Sequence, residues 1–239
     1  MRKLLSRDYD GDLGAIGIGA MIVFIAMILV AGVAASVIIS TSNSIQIQAL
    51  TTGQQTTKEV ASGLSVYGIS GQVNVTGGTS YDINYTAITV KARPGSEGID
   101  LNNTYILVSD GTTKTLLRYG HANSSQIFIE KSSAQGDLFG LLSGDDWDCC
   151  NRETFGIGVL QDYDSSVTAY NPVLNRGDKA ILFVRAGTQP DNGSLSGIFN
   201  QEIAERTDVF GRVIPEIGAP GVISFSSPMS YVDTVYNLQ

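Results

Sequence analysis

The sequence predicts an α+β chain, with one long apolar α-helix near its N-terminus and an all-β domain behind it. Three observations carry this reading. No charged residue lies between Asp12 and Lys58. Inside that gap, Ala15 to Ile39 is a continuous apolar stretch in which Ser36 alone carries a polar side chain. Beyond Ser65 the apolar positions change from helical spacing to alternation, with turn residues about every 8 to 15 positions.

The apolar stretch, AIGIGAMIVFIAMILVAGVAASVII, is long enough to cross a bilayer. A Thr/Gln/Ser-rich continuation keeps apolar residues at Ile45, Ile47, Leu50, Val60 and Leu64, so the helix is expected to run on to about Tyr67. At about 1.5 Å per residue such a rod spans about 80 Å, over twice the hydrocarbon thickness. One bilayer does not account for it. The second half is too polar for lipid and too poor in charge for an ordinary solvent face, which points to packing against other protein.

Candidate strands are Gly71–Thr76, Tyr81–Ala92, Thr104–Ser109, Thr112–Tyr119, Gln126–Glu130, Phe155–Leu160, Lys179–Arg185, Val209–Ile214, Val222–Phe225 and Tyr231–Leu238. Asp110-Gly111 between two β-branched runs marks a hairpin. Arg93-Pro94-Gly95, Asn171-Pro172 and Ala219-Pro220-Gly221 read as loops. The even spacing of short strands suggests an immunoglobulin-like sandwich over residues 68–239. No internal repeat indicates a solenoid.

Composition removes several functions. The formal net charge is −8 and the acid is not balanced by any basic cluster, so nucleic acid is not an expected partner. The two cysteines, Cys149 and Cys150, are adjacent and form no CxxC pair for zinc or redox work. His121 is the sole histidine and no nucleophile elbow accompanies it, leaving a surface role. The glycine-rich stretches at Gly17–Gly19 and Gly156–Gly158 lack the lysine and following hydroxyl of a phosphate-binding loop. No enzyme is expected.

The apolar stretch is built for packing. Small residues recur four apart at Ala15/Gly19, Ala31/Ala35 and Gly32/Ser36, the spacing that lets two helix backbones approach closely. Ala31-Gly32-Val33-Ala34-Ala35 could serve as a secretory cleavage site, but the stretch is longer than a usual signal core and continues unbroken into an amphipathic helix.

Gly14-Ala15-Ile16-Gly17-Ile18-Gly19, with the apolar run through Ala31, resembles the class III signal of archaeal flagellins, or archaellins. The resemblance continues at Pro94-Gly95-Ser96 with Ile99-Asp100-Leu101, at Leu174 to Lys179, and at Pro215 to Gly221 before Phe225 and Pro228. It implies that residues 1–14 are a leader removed by a class III signal peptidase between Gly14 and Ala15. Residues 15–67 would then form the filament core and residues 68–239 the outer domain. The leader here carries Asp12 and Leu13 before Gly14, where such leaders usually carry Lys or Arg. A bacterial type IV pilin would place a glutamate at the fifth mature position, which here is Gly19.

The resemblance further implies a structural subunit of a swimming filament. Its partners would be copies of itself, other archaellins, the membrane before assembly, and a separate ATPase with a membrane platform. Its location would be extracellular. An adhesive pilin or a membrane-anchored binding module is the alternative.

Five N-x-[ST] sequons, at Asn74, Asn84, Asn102, Asn123 and Asn192, are candidate glycosylation sites. Asp145, Asp146 and Asp148 concentrate acid in one loop and could offer oxygens to calcium, although no EF-hand spacing is present and no cofactor is required. Cys149 and Cys150 could form a vicinal disulfide, a free pair or an intersubunit pair.

Overall fold

A computed structural model describes residues 6–76, 79–120, 128–130, 139, 150, 152–187, 197–199 and 202–239. The chain divides into two compact units, Met1–Gln55 and Thr56–Gln239. Helix α1 runs over Ser6–Ala61, and its residues 56–61 are counted with the second unit.

Residues Gly14 to Gln55 of α1 are exposed all round. The hydroxyls of the polar part are satisfied by the helix itself. Thr41 Oγ1 donates to Val37 O and Ile38 O at 3.0 Å, Ser44 Oγ to Ser40 O at 3.1 Å, and Thr51 Oγ1 to Ile47 O at 2.9 Å. Each such bond removes a hydroxyl from competition for other backbone groups and lowers the polarity that the segment shows to its surroundings.

The helix stops at Ala61, short of the Tyr67 that periodicity suggests. Three contacts within the second unit decide this. Leu64 begins a strand that pairs with Ala92, so Leu64 to Tyr67 are claimed by a sheet. Gly63 lies so close to Ala219 that a Cβ on it would sit 2.6 Å from the Ala219 oxygen. Gly63 is also tied down by Ser96, whose Oγ accepts from Gly63 N at 3.0 Å and donates to Gly63 O at 3.2 Å. Tertiary pairing overrides a helical pattern that the local sequence would tolerate.

Among the described residues the second unit holds twelve strands. They are β1 (Leu64–Thr76), β2 (Thr79–Ala92), β3 (Ile99–Asp100), β4 (Tyr105–Ser109), β5 (Lys114–Tyr119) and β6 (Phe128–Ile129). Then come β7 (Thr154–Gln161), β8 (Val173–Leu174), β9 (Lys179–Arg185), β10 (Asp208–Ile214), β11 (Gly221–Ser226) and β12 (Val235–Asn237). The hairpin at Asp110-Gly111 forms as its sequence indicates. Asp110 Oδ1 accepts from Thr112 N at 2.8 Å and Thr113 N at 2.6 Å, and Gly111 takes a φ of 86°.

Ten strands form one sheet along the path β11-β10-β4-β5-β7-β9-β2-β1-β12 with β6 beside β7, and β3 and β8 form a separate two-stranded sheet. This does not reproduce the two separate sheets of an immunoglobulin-like sandwich. The junction is the short parallel pairing of β5 with β7, Arg118↔Thr154 and Tyr119↔Phe155. The sheet also curls back on itself: Gly63 and Ala219 form a parallel bridge, with Leu64 N donating to Ala219 O at 3.1 Å. Inside lie Leu64, Ile69, Ile83, Ile106, Leu117, Phe155 and Phe183, all essentially without solvent access. The β9 run Ala180 to Arg185 is buried throughout, so Ala180 to Val184 reads as an unbroken apolar stretch and not as an alternation.

Candidate functional site

The first unit holds the residues singled out for processing and packing. Gly14, Ala15, Gly19, Ala31, Gly32, Ala35 and Ser36 all lie on α1 and are exposed. A Cβ added at Gly14, Gly17, Gly19 or Gly32 would meet nothing within 4 Å. The isolated chain therefore has no steric need for glycine at these positions. Between Ile16 and Ile39 every large apolar side chain is 55–70% exposed. This is the single described helix long and apolar enough to cross a membrane.

The structure sorts the sequons. Asn84, on β2, is 5% exposed, and its carbonyl accepts from Ala186 N at 2.7 Å, so a glycan there would displace packed core. Asn102 is exposed on the turn between β3 and β4. Its N–H donates to Asp100 Oδ1 at 2.8 Å, while Thr104 Oγ1 donates to Asp100 O at 3.0 Å and fixes the turn. Asn74 lies in β1. Asn123 and Asn192 lie outside the described residues, as do His121, Asp145, Asp146, Asp148 and Cys149. Cys150 is fully buried and disulfide-bonded.

A different set of acids comes together. Carboxylate oxygens of Asp162, Asp164 and Asp178 lie within 4.8 Å of one another. Asp162 and Asp164 come just after β7, and Asp178 precedes β9, a distance in sequence that hides the cluster from any local motif. The carboxylates organise their own loops. Ser166 N donates to Asp162 Oδ1 at 3.3 Å and to Asp164 Oδ1 at 3.2 Å, and Val167 N donates to Asp162 Oδ2 at 3.1 Å. Asn175 donates through Nδ2 to Asp164 at 2.9 Å and through its backbone N to Asp178 at 3.0 Å. The hydrogen bond from Asn175, with that from Ser166, holds the Asp164 carboxyl below the usual carboxylate range. An all-oxygen set of this kind could hold a hard cation, because each carboxylate oxygen keeps a second lone pair.

The family model for archaeal-type flagellin matches residues 14–225 of this sequence. The chain belongs to that family. Flagellin B3 of Thermococcus kodakarensis is 38% identical over 95% of this chain and 97% of its own length. Flagellin B2 of Methanocaldococcus jannaschii is 42% identical over 94% of this chain and 93% of its own. Among solved structures, the crystal structure of archaeal flagellin FlaB1 from Methanocaldococcus jannaschii is similar at a TM-score of 0.61 and 31% identity, covering 75% of this chain and 98% of that one. The archaeal flagellum of Methanospirillum hungatei shares the fold at a TM-score of 0.55 and 16% identity, over 90% of this chain and 95% of that one. As an archaeal-type flagellin, this chain is a structural filament protein and not an enzyme. In this flagellin α1 presents an uncovered apolar surface from Ile16 to Ile39.

Proposed function

We infer that the chain is a subunit of an archaeal flagellum filament that is trimmed after Gly14, rests in the membrane through the helix beginning at Ala15, and then polymerises with copies of itself through that helix. The observation that carries this is the fully exposed apolar segment whose glycines meet nothing in their own chain. The 15 large apolar side chains between Ile16 and Ile39 are worth roughly 20–45 kcal/mol on leaving water, as an upper bound. They must be covered at every stage. In lipid the helix satisfies its own backbone, and passage into a bundle of like helices exchanges one apolar setting for another. Close contact at Gly19, Ala31, Gly32 and Ala35 then supplies the preference for protein.

The match to the family model beginning at Gly14 supports the position of the cut. Cleavage would be the work of a class III signal peptidase. Because the chain has no phosphate-binding loop, insertion and rotation would draw on a separate ATPase and membrane platform. Other archaellins would share the extracellular filament, and no bound cofactor is required for this role. N-terminal mass spectrometry of filaments sheared from cells tests the reading. Mature chains should begin at Ala15; Met1 on every chain would overturn the processing step.

A further inference from the structure

The β-domain carries a second uncovered surface. Strand alternation sends Ile106, Val108, Leu117, Val209, Val213 and Ile223 inward, where all are buried. Their neighbours on β4, β5, β10 and β11 face outward, the side an antiparallel sheet normally gives to polar residues. Register places them in rows across the four strands. One row is Val222, Arg212, Leu107 and Leu116. Another is Ser224, Phe210, Ser109 and Lys114. A third runs Ile214, Tyr105, Arg118. Val222, Phe210, Leu116 and Tyr105 are 65, 55, 53 and 46% exposed. Adjacent apolar side chains on a solvent face mark an interaction surface.

Charge identifies the occupant. Arg212, Lys114 and Arg118 lie among these apolar groups, and Asp208, the first residue of β10, is the one outward-facing acid on the four strands. The chain as a whole carries −8. Pairing this face with itself would set one net-cationic surface against another and is disfavoured by charge. The rest of the chain carries the excess acid, so the face is complementary in charge to a different part of another copy. A contact between unlike surfaces of identical chains is head-to-tail and propagates into an open polymer. The face is also small: these rows hold fewer side chains than the roughly 20–30 residues a side of a stable complex. It would act only where another contact already holds copies together.

We propose that the outer face of β11-β10-β4-β5 docks against an acidic surface of a neighbouring copy in the polymer, a second contact beside the helices. This rests on the filament reading above. The first test uses unmodified filaments: Lys114 acetylation by a water-soluble ester is compared between intact filaments and chains dissociated in detergent. Severalfold protection of Lys114 in filaments is expected, and equal reactivity would overturn the contact. In a second test a benzophenone-bearing residue replaces Leu116, or separately Ser224, in full-length chains assembled into filaments. Irradiation should give two-chain products whose adducts map to acidic segments outside these four strands. One-chain products only, adducts joining the same face of two copies, or adducts to another protein would each overturn the proposal. Arg212→Glu should reduce the two-chain product severalfold and Arg212→Lys should retain it. Failure of the unmodified chain to form filaments would refute the filament reading itself, whereas filaments with unprotected Lys114 refute the docking face alone.

Discussion

Gly218 lies directly against the Ser62 carbonyl, so that a Cβ on Gly218 would sit 2.2 Å from the Ser62 oxygen. The same carbonyl accepts Ala219 N at 2.9 Å. The φ of Gly218 is 95°, in the region that side chains rarely adopt. Gly218→Ala should therefore destabilise the β-domain by about 3 kcal/mol or more, from strained φ plus a displaced backbone. Gly111→Ala is the control, since Gly111 also has a positive φ but open space around it; its cost should be about 1–2 kcal/mol. Urea midpoints of the detergent-solubilised chain separate the two.

Gly19→Leu should leave folding and membrane residence unchanged, because a Cβ at Gly19 meets nothing within 4 Å in its own chain. Filament yield should fall sharply, because close helix approach is what the glycine permits. Normal yield with normal membrane levels would refute helix packing at this position. Ile25→Asp should fail earlier, at insertion, since a charge there has no partner.

Glycopeptide mass spectrometry should find no glycan at Asn84 and a glycan at Asn102. Asn84 is buried between paired strands, whereas Asn102 stands on an open turn. Occupancy of Asn84 in assembled subunits would contradict the packing of β2 against β9.

Two aspartates give opposite pH dependences. Burial, with the Glu205 carboxylate as the smaller cause, raises the pKa of Asp82. The folded state then binds the proton more tightly than the unfolded state, so the ionised group costs stability above its folded pKa and the cost fades as pH drops through that value. Asp82→Asn should stabilise the domain at pH 7, with the gain shrinking in acid. Asp164 is depressed, so its contribution is present above the unfolded pKa and is lost as pH falls through the folded one. Carboxyl NMR titration should show Asp164 moving up toward the ordinary value in Asn175→Ala.

Local patterns made much of this legible. Ala15 to Ile39 could only be a helix for an apolar setting, because its run of apolar residues leaves no face for water. The strands at Tyr105–Ser109, Lys114–Tyr119 and Asp208–Ile214 alternate as their sequences indicate, and Asp110-Gly111 turns where its chemistry demands. The β9 run was legible as strand but not as central, since burial on both faces erases alternation.

The cluster of Asp162, Asp164 and Asp178 was hidden behind the denser acidic run Gly144-Asp145-Asp146-Trp147-Asp148, which is the stronger local signal. Asp162-x-Asp164 was the available hint, yet its third member arrives only after the chain has returned past Asn175. Asn84 looked like any other sequon, because its burial depends on strands far away in sequence.

Hydrophobic spacing and turn chemistry act within a few residues, so the chain by itself determined the membrane-length helix, the β character of the second unit and the family. Long-range contact decided the remainder. Ala61 ends the helix because Leu64 has a partner in Ala92 and Gly63 rests on Ala219. The sheet is one curled path because β7 lies beside β5. Those outcomes are set by surfaces that meet only after folding, and their energies belong to pairs of segments that no single stretch of sequence contains.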